Sequence, residues 1–110
     1  MKDDITIHSS SNNVFKDLGV ADPEEYLAKS EMAALIQELI QGRNMKQSEA
    51  AQLLGINQPK VSALLNGHLD GFSTDRLFRF INRLGCDIEI KISSPHHSPG
   101  HLSVMTALAG

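Results

Sequence analysis

Apolar residues recur three and four positions apart in four segments of the chain. Such spacing lines one face of a helix with apolar side chains, so each segment is predicted to form an amphipathic helix. Capping residues and glycines mark the ends of the segments. Asn13 and Gly19 bound one further helical turn. The pattern predicts longer helices over approximately residues 22–42, 47–54, 58–65 and 73–84.

The pattern changes to strict alternation after Gly85. Residues 86–92 place apolar side chains at even numbers and charged side chains at odd numbers, in the order Cys-Asp-Ile-Glu-Ile-Lys-Ile. A period of two is typical of a strand with one buried face. Because a lone strand is not stable, this one needs a partner strand from residues 5–7, from the tail or from a second copy of the chain.

The segment from Ser48 to Gly67 has the residue types of two short helices that cross at a tight turn. Counting Gln47 as the first position, Ala51 is the fifth, Gly55 the ninth and Val61 the fifteenth. A small residue lets crossing helices approach closely, and glycine adopts a positive φ without steric cost. This spacing is typical of a helix-turn-helix, whose second helix lies in a DNA major groove. The alternative is a helical hairpin in an unrelated bundle.

Composition narrows the class of protein. With 110 residues, the chain has the length of one domain, and its single cysteine, Cys86, excludes an internal disulfide. No run of about 18 apolar residues predicts a membrane span, and the N-terminus lacks the apolar region of a secretory signal. We therefore expect a cytoplasmic protein. The chain is expected to consist of a flexible arm over 1–13, a domain over 14–92 and a flexible tail over 93–110.

Charge is distributed unevenly along the chain. The formal net charge is −3, of which residues 1–42 carry −5 and residues 43–92 carry +2. Contacts with DNA phosphates require the basic half, which contains the two crossing helices. The acidic half suits a basic protein partner, or it is an ordinary solvated surface.

Several segments resemble the XRE/Cro-type helix-turn-helix family and, more narrowly, antitoxins of HigA type. They are NVFKDLG, SEAAQLLGINQPKVSALLNG, LDGFSTDRLFRFINRLG and the alternating strand, which together cover roughly residues 12–92. The most specific parts are Gln-Pro-Lys-Val-Ser and Asp-Gly-Phe-Ser. The resemblance implies a mostly α fold, a four- to five-helix XRE/Cro-type domain with a helix-turn-helix over 47–66 and a C-terminal β-strand over 86–92 for dimerisation.

The resemblance also implies a function. Proteins of this type repress their own operon as homodimers and neutralise a small basic RelE/HigB-like ribonuclease toxin. The alternative is a stand-alone, phage-like XRE/Cro-type regulator without a toxin. One position departs from the family pattern, since Lys46 stands where Ser or Thr commonly caps the first helix of the motif. A lysine cannot accept that hydrogen bond, so we expect a weaker helix start.

Carried onto this chain, base contacts fall on the second helix of the motif. Gln58 has the groups to pair with adenine N6 and N7, Lys60 to donate to guanine O6 and N7, and Ala63 to touch a thymine methyl. Solvation for Lys60, and helix packing for Ser62 and Ala63, are the alternatives. The predicted DNA-binding residues are Arg43, Lys46, Gln47, Asn57, Gln58, Lys60, Ser62 and Ala63, and the predicted dimer residues are Ile88, Ile90 and Ile92.

Two other clusters lead to weaker interpretations. One helix face carries Arg76, Arg79 and Arg83. The alternative interpretations of this face are a solvated surface, a phosphate or dimer contact, and part of a toxin interface. The histidines of the tail, with Cys86, suggest a metal site, but a Ser/Pro/Gly tail gives ligands no rigid support. No nucleophile elbow, phosphate loop or paired-acid motif is present. We expect neither an enzyme nor a metal or cofactor.

Overall fold

The computed structural model describes residues 22–107, which form four helices and a C-terminal segment without helix or strand. All four long helices predicted from the sequence are present, with ends within one residue of the expected positions. The predicted arm over 1–13, the turn between Asn13 and Gly19 and the last three residues lie outside the described residues. The helices are α1 (Pro23–Gly42), α2 (Gln47–Leu54), α3 (Gln58–Leu65) and α4 (Thr74–Arg83).

Three of the four helices begin at a side-chain cap. Asp22, Asn57 and Ser73 each accept a hydrogen bond from a backbone amide of the following helical turn, at 2.9, 2.9 and 3.1 Å. These amides have no partner inside the helix, so the caps stabilise the first turns. The positions of the helices are therefore encoded locally.

The start of α2 is stabilised differently. The Lys46 side chain makes no capping hydrogen bond, as expected for a lysine. The Lys46 backbone amide instead donates to Oε1 of Glu49 at 2.8 Å. This is one half of a capping box, so the missing cap is partly compensated by a glutamate three residues later.

The core lies where the helices cross. α1 packs against α3 and α4, and α2 also packs against both of these helices. Leu69 and Phe72, from the loop between α3 and α4, are buried with them. The largest side chains with almost no exposed surface are Ile36, Val61, Leu64, Leu77 and Leu84.

The corner between α2 and α3 has the predicted geometry. Gly55 has a φ of 75°, in the left-handed region, and its amide donates to the Ala51 carbonyl at 2.9 Å. Ala51 is 7% exposed and Val61 is fully buried, so both face the crossing helices rather than solvent. The structure thus confirms the predicted roles of a small residue at Ala51, a turn glycine at Gly55 and an apolar contact at Val61.

The predicted strand over 86–92 is not confirmed, because no strand occurs within residues 22–107. Cys86 and Ile88 pack against the core and are half-buried, whereas Ile90 and Ile92 are 74% and 89% exposed. A strand requires a neighbouring strand, and residues 22–107 of a single chain supply none. The apolar side chains of this segment therefore pack on the core at its beginning and are exposed to solvent at its end.

The C-terminal segment returns to the first turn of α1. The Leu102 amide donates to Glu24 Oε1 at 3.0 Å, and His101 Nδ1 lies 2.7 Å from Glu24 Oε2. These two contacts lower the pKa of the Glu24 carboxyl, the backbone hydrogen bond more than the imidazole. Val104 packs against the core nearby. None of the described helices is both long and apolar enough to cross a membrane.

Candidate nucleic-acid interface

The first turn of α3 is open to solvent while the rest of the helix is anchored. Residues 57–60 are exposed, and Val61 and Leu64 are buried. Buried apolar side chains fix the axis of the helix, and the Asn57 cap fixes its beginning. A short helix held in this way presents a preorganised polar edge.

The predicted base-contacting residues differ in how free they are. Gln58 and Lys60 are exposed, and their side chains make no hydrogen bond within residues 22–107. The Asn57 side-chain oxygen is used by the cap. Ser62 and Ala63 are half-buried, and Ser62 Oγ accepts from the Asn66 side chain at 3.4 Å. Gln58 and Lys60 are therefore the most available of the set.

The predicted phosphate-contacting residues also differ in whether their side chains already make a hydrogen bond within the chain. Lys46 and Gln47 are exposed at the beginning of α2, where backbone amides point outward. Arg43 is engaged inside the molecule, since its Nη2 donates to the Leu84 carbonyl. This contact joins the end of α1 to the end of α4, and no local pattern in the sequence indicated it. The phosphate contact of Arg43 stays a prediction, with fewer free N–H groups to make it.

The arginines of α4 border a surface cavity of about 190 Å³. One wall is the turn over residues 54–56, and the other is formed by α4 through Arg76, Arg79, Phe80 and Arg83. Helical spacing predicts the three arginines on one helix face, but it does not predict the cavity. Their common spacing was the only available signal, because the opposite wall comes from another helix pair.

Two of these arginines contact neighbouring groups of the chain. The Arg76 guanidinium lies 5.6 Å from the ring centroid of Phe72 and 5.7 Å from that of Phe80, within the range of a cation–π contact. Arg83 Nη1 donates to the Leu53 carbonyl, at the end of α2, at 3.2 Å. Arg79 is exposed and makes no such contact in the described part of the chain.

Ion pairs within residues 22–107 all involve α1. Glu25 pairs with Lys29 at 3.7 Å, and Glu24 with His101 at 2.7 Å. Lys46, Lys60 and the arginines of α4 have no carboxylate partner among the described residues. Their positive charge is thus available to an external anion, on the half of the chain whose net charge is +2.

The tail histidines do not assemble with other ligands in the described range. No group of three or more His, Cys, Asp or Glu side chains converges there. His96 and His97 are exposed, and His101 contacts Glu24.

Comparison with known proteins identifies the family. A family model described as a helix-turn-helix domain matches residues 14–93. A solved structure named as an XRE family transcriptional regulator is 41% identical in sequence and superposes with a TM-score of 0.73, covering 78% of this chain and 99% of that one. No curated protein matches the chain. With most of its length matched in both sequence and structure, the chain belongs to the XRE family of helix-turn-helix transcriptional regulators.

Proposed function

We propose that the chain represses transcription by binding an operator through α3. The observation that carries the proposal is the exposed, capped first turn of α3 on a buried Val61 and Leu64. Gln58 and Lys60 would read base edges in the major groove, where a glutamine suits adenine and a lysine suits guanine. Asn57, Ser62 and Ala63 would contribute at the edges of this patch.

Exposed groups at the beginning of α2 would contact DNA phosphates and so position α3 in the groove. Lys46 and Gln47 are placed at a helix N-terminus, which favours a phosphate through its free amides and its dipole. Phosphate contacts position a protein on DNA without reading sequence. These two residues would therefore contribute affinity on any duplex, and Arg43 would add its remaining N–H groups.

The test compares Gln58→Ala on selected and mixed-sequence duplexes. The selected duplex is enriched from a random pool by the wild-type protein. We expect Gln58→Ala to lose about 1–3 kcal/mol on the selected duplex and little on the mixed one, because a bidentate base contact carries specificity. Gln37→Ala, the same change on α1, should alter neither affinity. Equal losses of Gln58→Ala on both duplexes would remove the base-reading role.

Residues 86–92 are proposed to pair with the same segment of a second copy. Ile90 and Ile92 are exposed apolar side chains on an alternating segment, and they would be buried by an antiparallel mate. Ile88 already packs on its own core, so it would extend the interface rather than form its centre. A dimer would present two copies of α3 to half-sites about 34 Å apart.

Charge limits the register of this pairing. Centring the pair on Glu89 sets Asp87 opposite Lys91 of the mate, and centring it on Ile90 sets Glu89 opposite Lys91. Centring on Ile88 would set Asp87 against Glu89, which is unfavourable. Both allowed registers keep the apolar side chains on one face.

Sedimentation of two variants tests the dimer. Ile90→Pro removes a ladder hydrogen bond and should give monomers with weaker operator binding, whereas Ile90→Val should remain dimeric. Ile88→Asp should also give monomers, with some loss of stability because the side chain is half-buried. An intact Ile90→Pro dimer would move the interface elsewhere, most plausibly to α4.

Neutralisation of a basic ribonuclease toxin is proposed as a second activity, on the strength of the resemblance and of α1. Residues 22–42 carry five carboxylates and one lysine. Glu31 and Glu38 are exposed and have no ion-pair partner among the described residues. A toxin that holds RNA must be basic, so an acidic surface would steer the encounter.

Co-expression with the product of the neighbouring gene separates the two functions. A complex and rescue of growth would support the antitoxin, and Glu31→Gln with Glu38→Gln should weaken the complex but not operator binding. Neither complex nor rescue would leave a stand-alone regulator, the alternative that the sequence also allows. Operator binding is expected in both cases.

A further inference from the structure

The cavity between α4 and the helix-turn-helix corner contains positive charge that base reading by α3 does not use. Arg76, Arg79 and Arg83 lie on one wall and the backbone of residues 54–56 on the other. No carboxylate of residues 22–107 forms an ion pair with them. Concave sites with one sign of charge concentrate the opposite charge, so this cavity attracts an anion.

The guanidinium groups suit one kind of anion. A guanidinium presents planar, forked N–H donors that match the oxygens of a phosphate. Arg76 is held over the Phe72 and Phe80 rings, and Arg83 by the Leu53 carbonyl. Side chains that such contacts restrain lose less conformational freedom when they bind. Arg79 is the free member, exposed beside them.

The position of the cavity indicates where the phosphate comes from. Residues 54–56 lead directly into Asn57 and Gln58, and three residues span at most about 10 Å. The cavity therefore adjoins the first turn of α3, which is the turn proposed to enter the groove. The half of the chain over residues 43–92 has seven Lys and Arg side chains, and three of them line this cavity.

We infer that the cavity lined by Arg76, Arg79 and Arg83 is a binding site for a backbone phosphate of DNA, beside the base pairs that α3 contacts. The inference rests on the proposed DNA binding and adds a contact from outside the two helices of the motif. In this arrangement α4 clamps the backbone while α3 reads the groove. The contact is blind to sequence, so it strengthens binding to every duplex.

Arg79→Gln tests the site most cleanly, because the exposed Arg79 side chain makes no hydrogen bond, ion pair or cation–π contact within the described residues. On a mixed-sequence duplex, each phosphate contact contributes about 0.9 to the slope of log K against log salt concentration. We expect Arg79→Gln to lower the slope by about 1 and weaken binding roughly tenfold at about 0.1 M salt, with an unchanged melting temperature. Arg79→Lys should keep the slope but bind more weakly than wild type.

Ala34→Glu is the matched control. It changes the net charge by the same amount at an exposed position on α1, so it should leave the salt slope as in wild type. A wild-type slope and affinity for Arg79→Gln would overturn the phosphate site, and would point instead to an acidic protein segment as the occupant. If Gln58→Ala still relaxes base choice in that case, only the cavity assignment fails. If the wild type binds no duplex, the proposed function fails with it.

Discussion

The helix-turn-helix corner and the C-terminal segment are both strongly patterned, yet only one of them reaches its predicted structure. In the corner, Gly55 turns the chain, Asn57 caps α3, and Val61 is fully buried. In the alternating segment over residues 86–92, Ile90 and Ile92 remain 74% and 89% exposed. The turn and the cap of the corner depend on local contacts, and α1 and α4 of the same chain bury its apolar side chains. The alternating segment has an apolar face, but its sequence does not indicate which partner strand would cover that face.

The largest difference between the two regions is expected from the same substitution in each. Leu64 is 1% exposed and Leu102 is 52% exposed. Leu64→Ala should lower the free energy of unfolding by about 2–5 kcal/mol, because it leaves a cavity in the core. Leu102→Ala should cost less than about 1 kcal/mol. Denaturant titration of both variants measures this, and similar losses would mean that the segment belongs to the core.

The turn itself gives the next largest effect. Gly55 has a φ of 75°, and an added Cβ would lie 3.3 Å from Nη1 of Arg83. Gly55→Ala should cost about 1–2 kcal/mol, mostly from the left-handed backbone, since the arginine end can move. Gly42→Ala is the control: nothing lies within 4 Å of an added Cβ there, so stability should be unchanged or slightly higher. Equal thermal shifts for the two variants would contradict the turn argument.

The cap of α3 should matter less than the turn. Asn57→Ala removes the acceptor for the Lys60 amide and should cost about 1 kcal/mol. Asn57→Ser keeps an acceptor and should retain most of the stability. Thermal unfolding distinguishes them, and a neutral Asn57→Ala would show that water replaces the cap without loss.

The smallest effect concerns the docking of the tail on α1, and it depends on pH. The Leu102 amide and His101 hold the pKa of the Glu24 carboxyl below its ordinary value. Docking therefore favours the carboxylate: its contribution is complete above the ordinary glutamate pKa and is lost as the pH falls through the lowered one. The amide resonance of Leu102 should report this loss. Glu24→Gln should weaken docking at neutral pH, whereas Glu31→Gln should not. A pH-independent Leu102 resonance would contradict the contact.

The helices could be predicted because their signals are local. Asp22, Asn57 and Ser73 are recognisable caps, and each marks a helix end to within one residue. Glu49 lies three residues after Lys46, which is also a local capping signal, and its carboxylate accepts from the Lys46 amide although the Lys46 side chain is no cap. Local chemistry of this kind needs no knowledge of the fold.

The parts that could not be predicted are tertiary. Arg43 bonds to the Leu84 carbonyl and Arg83 to the Leu53 carbonyl, across 41 and 30 residues of sequence. Helical spacing places arginines on a face but does not say which carbonyl or ring they meet. The cavity, and with it the proposed phosphate site, appears only when α4 is packed against the corner. The residues proposed to read bases, by contrast, follow from their order along α3.

The division of α3 into buried and exposed positions has a consequence for how such a regulator changes over evolutionary time. Val61 and Leu64 hold the helix, whereas the side chains of Gln58 and Lys60 are exposed and make no hydrogen bond or ion pair within the described residues. Under the proposed function, the residues that stabilise the fold and the residues that select the operator are thus different residues of one short helix. Duplicated copies of the gene are free to acquire new operators through changes at 58 and 60 while the scaffold stays intact. A library randomised at these two positions alone should yield folded proteins with different target sites.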